Sequence, residues 1–447
     1  MHLSAAAVTP PVIAPGTLAE RGQALLGLLV FILIAFLIGR ARGARSFPVR
    51  VVLWGIALQF AFGAIVLFAP AVLETVQLAI KRLLDFSNAG ASLVFGNLIA
   101  NSVSVTKESG GGGGVVGYAQ VGFVFAFSLI PTIIFVSMLT AILYHLGVLT
   151  WVVHGLAWVM RKTMGCSGAE TLSTAANIFV GQTEAPLLVR PFLAMATRSE
   201  LMAIMVGGFA NIATGVLVVY TDLLQSFVPS AGGHLALACF ISAPATLVVS
   251  KLMMPETESP ETAGGVSFRV ERVDANLIDA ATRGTSEGLT LALNVAAMLI
   301  AFTALVALVN ALVGGVAGWM GYPDVKLETL FGWVMAPLAW LTGIEWQYCS
   351  RVGGLLGIKT VLNEFLAYLA MNQMLVADPA ALSPRAALLT TYALCGFANF
   401  ASVGIQIGGI SVLAPTRRHD LSRVGLLAMV GGAIATLMAA SVVGVLT

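Results

Sequence analysis

Two acidic residues sit in stretches whose neighbours are mostly apolar. Glu184 lies within Asn177-Ile-Phe-Val-Gly-Gln-Thr-Glu-Ala-Pro186, and Glu364 within Lys359-Thr-Val-Leu-Asn-Glu-Phe365. In hydrocarbon each charge costs about 2.5–3.5 kcal/mol even on a lenient insertion scale, so it needs partners and reads as functional by default. Gln182, Thr183, Asn177 and Asn363 supply amides and hydroxyls beside them. Such groups match the edges and hydroxyls of a polar solute. Arg190 reads instead as a side chain snorkelling to the cytoplasmic surface. Lys359 either pairs with a carboxylate or reaches the outer surface.

Other chemistries lack their residues. There is no His-Glu-x-x-His, no phosphate-cradling Gly-rich loop with its Lys, and no Cys/His cluster. Transport driven directly by ATP within this chain is thereby excluded. Gly165-Cys-Ser-Gly168 is similar to the Gly-x-Ser-Gly of intramembrane serine proteases. A serine nucleophile needs a base in hydrogen-bond range, and His234, placed at a membrane edge, does not provide one. A net charge of +2, with basic residues scattered through loops, gives no nucleic-acid surface. Cys166, Cys239, Cys349 and Cys395 have no metal-ligand spacing and imply no disulfide framework.

The chain repeats itself. Gly208-Phe-Ala-Asn-Ile-Ala-Thr214 recurs as Gly396-Phe-Ala-Asn-Phe-Ala-Ser402, with five of seven positions identical. Leu156-Ala-Trp158 recurs as Leu338-Ala-Trp340, Cys166-Ser167 as Cys349-Ser350, and Glu184 as Glu364. The order is kept, so two homologous units are expected, about 148–250 and 327–447. A lone intramembrane Asn is usually a helix–helix hydrogen bond; duplication argues for more at Asn211 and Asn399. An odd number of spans separates the repeated strings, which makes the units inverted. That is the architecture of secondary transporters, with solute near the midplane between the repeats.

The elements that must position these residues follow from composition. The 447 residues are 58% hydrophobic and 10% charged, against about 25% charged for a soluble protein. The expected class is an all-α polytopic membrane protein. Spans are expected at 22–39, 49–70, 117–146, 201–221, 232–253, 286–315, 386–415 and 424–446, each long enough for a core of about 30 Å. Segments 72–98, 147–163 and 327–346 mix charge with apolar residues and read as interfacial helices. The stretches 170–198 and 352–376, interrupted by Gly, Pro, Glu and Lys, read as re-entrant hairpins whose tips meet at the midplane, where irregular backbone must line a cavity. The Gly-Phe-Ala-Asn strings then mark helix breaks whose freed carbonyls can hold a cation.

Expected boundaries are a tail at 1–21, scaffold spans at 22–146, the first repeat at 147–253, a cytoplasmic loop at 254–284, a scaffold span at 285–326 and the second repeat at 327–447. Gly110–Gly114 reads as an external linker. Arg40, Arg42 and Arg45, Arg161 and Lys162, and Arg417, Arg418 and Arg423 all fall in the cytoplasm if both termini face outward. No cleaved signal or transit peptide is evident in the first twenty residues, which fits a bacterial inner membrane.

Three strings carry a resemblance. Gly181-Gln-Thr-Glu-Ala-Pro-Leu-Leu-Val-Arg-Pro191, Asn363-Glu-Phe-Leu-Ala-Tyr368 and Gly396-Phe-Ala-Asn-Phe-Ala-Ser-Val-Gly-Ile-Gln-Ile-Gly-Gly409 resemble the concentrative nucleoside transporters, over about 70–447. The resemblance implies a homotrimer of protomers with eight spans and two hairpins, each carrying its own site in an elevator-like unit. It implies that Gln182, Thr183 and Glu184 meet the nucleobase, with Val216 lining its pocket. It further implies that Glu364, Asn399 and Ser402 hold the ribose hydroxyls, with Phe397 packed nearby. For the coupling ion, Na+, it implies the Asn177 side chain, the Val180 and Ile212 carbonyls and a side-chain oxygen at position 211. Ser or Thr is expected there; this chain has Asn211, whose amide oxygen also ligates a hard cation. The intact Gln-Thr-Glu-Ala-Pro favours sodium over proton coupling. A proton-coupled symporter and an intramembrane enzyme are the competing readings.

Overall fold

The computed structural model describes residues 13–44, 46–100, 102–106, 115–120, 124–264, 274–319, 321 and 326–447. The Gly110–Gly114 linker, most of the tail and the middle of the 254–284 loop lie outside the described residues. The chain is nearly all helical. Leu18–Ala41 (α1) begins at a capping box, where Thr17 and Glu20 satisfy each other's exposed amides. Val49–Phe68 (α2) leads through a 74° bend into the amphipathic Pro70–Phe95 (α3). Two short antiparallel strands, β1 (Ser102–Thr106) and β2 (Val115–Gln120), follow.

The third expected span is therefore corrected at its start. Residues 117–120 belong to β2, and the long helix begins only at Ile130, with Pro131 in its first turn. Val115, Val116 and Tyr118 favour a strand, and Pro131 sits in the first turn of a helix, where proline is best tolerated. That helix, Ile130–His145 (α4), bends by 74° into Val148–Met164 (α5), the second amphipathic helix.

Gly168–Ala176 (α6), with Ser167 and Glu170 as its capping box, stops at Asn177. An irregular turn follows, then a 3-10 turn at Ala185–Val189 that packs back on α6, and a single helical turn at Arg190–Leu193. Arg198–Ala210 (α7) and Thr214–Leu224 (α8) form one line of chain broken at 211–213. Ala231–Met253 (α9) is almost wholly buried, although Pro244 lies inside it. Leu277–Trp319 (α10) is long, packs on α4, and leaves most of its apolar surface uncovered in the protomer. The helix begins earlier than the expected loop end at 284.

The remainder runs Leu327–Leu341 (α11), Trp346–Val361 (α12), Glu364–Ala377 (α13), Pro384–Leu394 (α14), Phe400–Leu413 (α15) and Arg418–Leu446 (α16). Each of the two stretches thus reads short helix, interrupted segment, broken helix pair, long helix. Among the described residues, five helices qualify as spans by length and apolar composition, or up to seven if each bent pair counts as one. The expected span at 386–415 is broken between α14 and α15, each too short alone. The core lies where α7, α9 and α16 pack together.

Candidate functional site

The repeated strings touch. Gly396 has φ 143°, and a Cβ there would meet the Phe209 carbonyl oxygen at 2.7 Å and the Ala210 carbonyl carbon at 3.0 Å. Only glycine permits that backbone and that approach. The breaks themselves fall differently: α7 runs through Gly208, Phe209 and Ala210, whereas α14 stops before Gly396.

Beside this contact lies a ring of polar side chains. Asn399 caps α15 by accepting from the Ser402 amide at 2.8 Å, which leaves its Nδ2 free to donate to Glu364 Oε2 at 3.2 Å. Asn363 likewise caps α13 and so places Glu364 at its first residue. Gln182, on the turn after α6, donates to Ser402 Oγ at 3.4 Å. Glu364, Asn399 and Ser402 are buried, and Gln182 is half-buried. The structure thus joins four of the expected residues through direct hydrogen bonds. Val216 is buried on α8, and Phe397 is half-buried in the second break. Thr183 lies against α15, since a Cβ at Gly409 would meet its Cγ2 at 2.9 Å. Glu184 is placed differently. It is exposed, its Oε1 accepts from Thr183 at 3.1 Å, and among the described residues no hydrogen bond carries it to Glu364.

Two members of the ring went unread in the sequence. Tyr220, fully buried one turn beyond Val216, donates its hydroxyl to Glu364 Oε1 at 2.8 Å, and its ring stacks on Tyr368 at 4.4 Å. Gln406, one turn beyond Ser402, donates to Gln182 Oε1 at 3.1 Å and to the Met205 carbonyl at 3.2 Å. The available signal was helical spacing: 216 and 220, and 402 and 406, share a face.

The expected cation ligands gather between α6 and α7. Thr214, at the start of α8, donates through its hydroxyl and amide to the Phe179 carbonyl, which ties the turn holding Val180 to the break holding Ile212. A Cβ at Gly207 would lie 3.1 Å from Asn177 Nδ2, so Asn177 faces the last turns of α7. Asn211 uses its Nδ2 on the Gly207 carbonyl, while its buried Oδ1 has no hydrogen-bond partner among the described residues. A buried acceptor oxygen left over in this way is costly, and beside backbone carbonyls it is the donor chemistry of a hard cation. The residues present fit Na+.

The structure also places four other residues singled out in the sequence. Lys359 neither pairs with a carboxylate nor reaches a surface: it is buried and donates to the Ala393 carbonyl at 2.8 Å and Thr436 Oγ1 at 3.1 Å. His234, in the first turn of α9, is buried against the Tyr392 hydroxyl at 2.8 Å. Ser167, in the protease-like string, is an N-cap whose hydroxyl donates to Glu200 at 2.6 Å. Arg190 is exposed.

Fold and site together define a polytopic membrane protein with polar side chains gathered at broken helices, and its relatives are transporters, not enzymes. Three family models match in chain order: Na+ dependent nucleoside transporter N-terminus over 26–98, nucleoside recognition Gate over 126–227, and Na+ dependent nucleoside transporter C-terminus over 234–444. The chain belongs to the concentrative nucleoside transporter family. It is 40% identical over 427 residues to an uncharacterized transporter of Haemophilus influenzae, covering 94% of this chain and 97% of the relative. It is 38% identical to sodium/nucleoside cotransporter 1 of Rattus norvegicus, over 96% of this chain and 64% of the relative. The solved structure of CNTnw in an inward-facing substrate-bound state is similar with TM-score 0.83 at 38% identity, covering 95% and 97% of the two chains. An outward-facing CNTnw structure gives 0.85, covering 96% and 97%.

Proposed function

We propose that this chain is a sodium-coupled symporter that imports nucleosides across a bacterial inner membrane by alternating access. The observation that carries the reading is the hydrogen-bonded chain from Gln182 through Ser402 and Asn399 to Glu364, together with the unpartnered Asn211 oxygen at the end of α7. The family models and the rat relative carry sodium and nucleoside in their names, and CNTnw is known in inward- and outward-facing states.

Glu364 accepts from the ribose hydroxyls, with Asn399 and Ser402 fixing the sugar and Phe397 packed beside it. Gln182 and Thr183 meet the base over Val216, and Glu184 joins them by turning from its own loop. The lone pairs that Glu364 has left after Tyr220 and Asn399 stay unmatched beside a deoxy sugar, which selects against deoxy analogues. Asn177, Asn211 and the Val180 and Ile212 carbonyls hold Na+, which when bound supplies the positive charge that satisfies these oxygens and ties the end of α6 to the break after α7. Ordering that turn places Gln182 for the base, so ion and nucleoside strengthen each other by the same factor.

The remaining architecture belongs to the same reading. Eight spans are reached by counting α14 and α15 as one crossing; the segments 168–193 and 346–377 are the re-entrant hairpins; and 147–253 and 327–447 are inverted repeats. The bare face of α10 meets lipid or sister copies in a homotrimer. Proteoliposomes under imposed gradients test the reading: uridine should drive ²²Na+ entry. Uptake that follows external pH and ignores sodium would establish proton coupling instead.

A further inference from the structure

Among the described residues, five unpartnered buried oxygens lie on three helices of the first half that pack together. Ser173 Oγ and Thr174 Oγ1 in the last turn of α6, Asn211 Oδ1 at the end of α7, and Ser242 Oγ and Thr246 Oγ1 on one face of α9 all lack hydrogen-bond partners. All five residues are at most 2% exposed. The three helices pack on one another, and a Cβ at Gly207 would meet Thr174 Oγ1 at 3.5 Å as well as Asn177.

The other half repeats those elements as α12, α14 and α16. Its long helix repeats the sequence too: Ala243-Pro-Ala-Thr-Leu247 on α9 returns as Ala433-Ile-Ala-Thr-Leu437 on α16. Thr246 and Thr436 are therefore mates. Thr436 is not unpartnered, because Lys359 donates to it. Lys359 lies in the last turn of α12 and also donates to Ala393 in the last turn of α14. The amine thus joins the end of the first hairpin helix, the end of the broken helix and the middle of the long helix. In the first half the same three places hold oxygens and no cationic side chain. A helix C-terminus also favours positive charge on its free carbonyls.

We propose that the Lys359 ammonium is the second half's built-in cation, doing permanently what a mobile Na+ does in the first half. The idea rests on the sodium reading above. Hairpin 2 is then pinned to α14 and α16 at all times, and hairpin 1 is pinned to α7 and α9 only when the ion is present. Of the two pockets only the first is filled from solution, so one ion is coupled per cycle through this pair.

The test is nucleoside binding and thermal unfolding of purified full-length protein, each titrated with NaCl at constant ionic strength in choline chloride. Wild type should show a sodium-dependent Tm rise and a Hill slope near 1; a wild type without any sodium response refutes the sodium reading itself. Lys359→Met, which fills the space without charge, should lose at least tenfold in uridine affinity at every sodium concentration while keeping the sodium-dependent Tm rise. Lys359→Ala should regain affinity and Tm with millimolar methylammonium but not with tetramethylammonium, or should bind sodium with a slope approaching 2. Wild-type uridine affinity in Lys359→Met overturns the proposal. If that variant does not fold, Lys359→Ala that neither methylammonium nor sodium restores overturns it.

Discussion

Glu364 has both oxygens engaged, one by Tyr220 and one by Asn399. Each carboxylate oxygen retains a further lone pair, so a ribose diol adds to this arrangement without displacing it. Glu364→Gln replaces one acceptor oxygen by a donor that faces donors. Hydrogen bonds to charged groups are worth about 1.5–3 kcal/mol, so uridine affinity should fall about 10- to 100-fold with the fold intact. Calorimetry that returned wild-type affinity would remove Glu364 from the site. Tyr220→Phe keeps the stack on Tyr368 and deletes only the donor; uridine affinity should drop about tenfold, with a smaller change for 2′- or 3′-deoxyuridine if the hydroxyl aims Glu364 at the sugar. The sequence exposed Glu364 because a charge in an apolar context is conspicuous, and Asn399 and Ser402 because the second of two similar strings contains them. Tyr220 and Gln406 are ordinary on partly apolar helices. Only the packing of α8 against α13, and of the turn after α6 against α15, turns them into neighbours of the site.

Helices were legible where apolar length alone decides them, as in α1, α9 and α16. They were illegible where local and tertiary preferences compete. The β-branched run at 115–116 and the Pro at 131 delayed the third span, and identical Gly-Phe-Ala-Asn strings became helical in one half and irregular in the other. At the starts of α6 and α7 the capping boxes of Ser167 with Glu170 and of Thr197 with Glu200 feed a buried network. Lys251 lies 2.5 Å from Glu170 and 2.8 Å from Ser199 Oγ, while Thr262 reaches back to Glu200 at 3.1 Å. Removing one partner of such a pair costs about 3–5 kcal/mol because the other charge stays buried. Lys251→Met should therefore lower the unfolding temperature sharply in detergent, and Lys251→Met combined with Glu170→Gln should recover part of the loss. No recovery would mean the pair is not the cause. Just before α10, Asp274 is bound by the Arg283 guanidinium at 2.6 and 2.9 Å, which holds its carboxyl below the usual range. A depressed carboxyl pKa stabilises above the unfolded value of about 3.9 and loses that contribution as pH falls through the folded value. Hydrogen exchange at 274–283 should stay slow at pH 5–8 and rise only in stronger acid, whereas Asp274→Asn should remove that acid-dependent step.

At the scale of the whole molecule, the protomer leaves a tall apolar face on α10, where Ile300, Leu308, Leu312 and Val316 are all exposed. Surface of this extent calls for lipid or protein cover. Light scattering of the detergent-solubilised protein should give three chains per particle; a transport-competent single chain would assign that face to lipid. Composition made the membrane class plain, but one sequence carries no information about which apolar face meets lipid and which meets protein.

The two sharp bends carry a consequence for the lipid itself. α3 and α5 leave their spans at 74°, and α5 exposes Trp151 and Trp158, with Lys162 lying 5.0 Å over the Trp158 ring. Tryptophan and lysine of this kind seek the headgroup level. One such float, α3, sits on the scaffold and the other, α5, opens the first repeat, so each part has its own hold on the depth of the bilayer. Changing acyl-chain length would then strain the scaffold against the travelling part, at fractions of a kcal/mol per Å of mismatch. Turnover in vesicles of graded thickness should pass through a maximum, while nucleoside affinity stays flat.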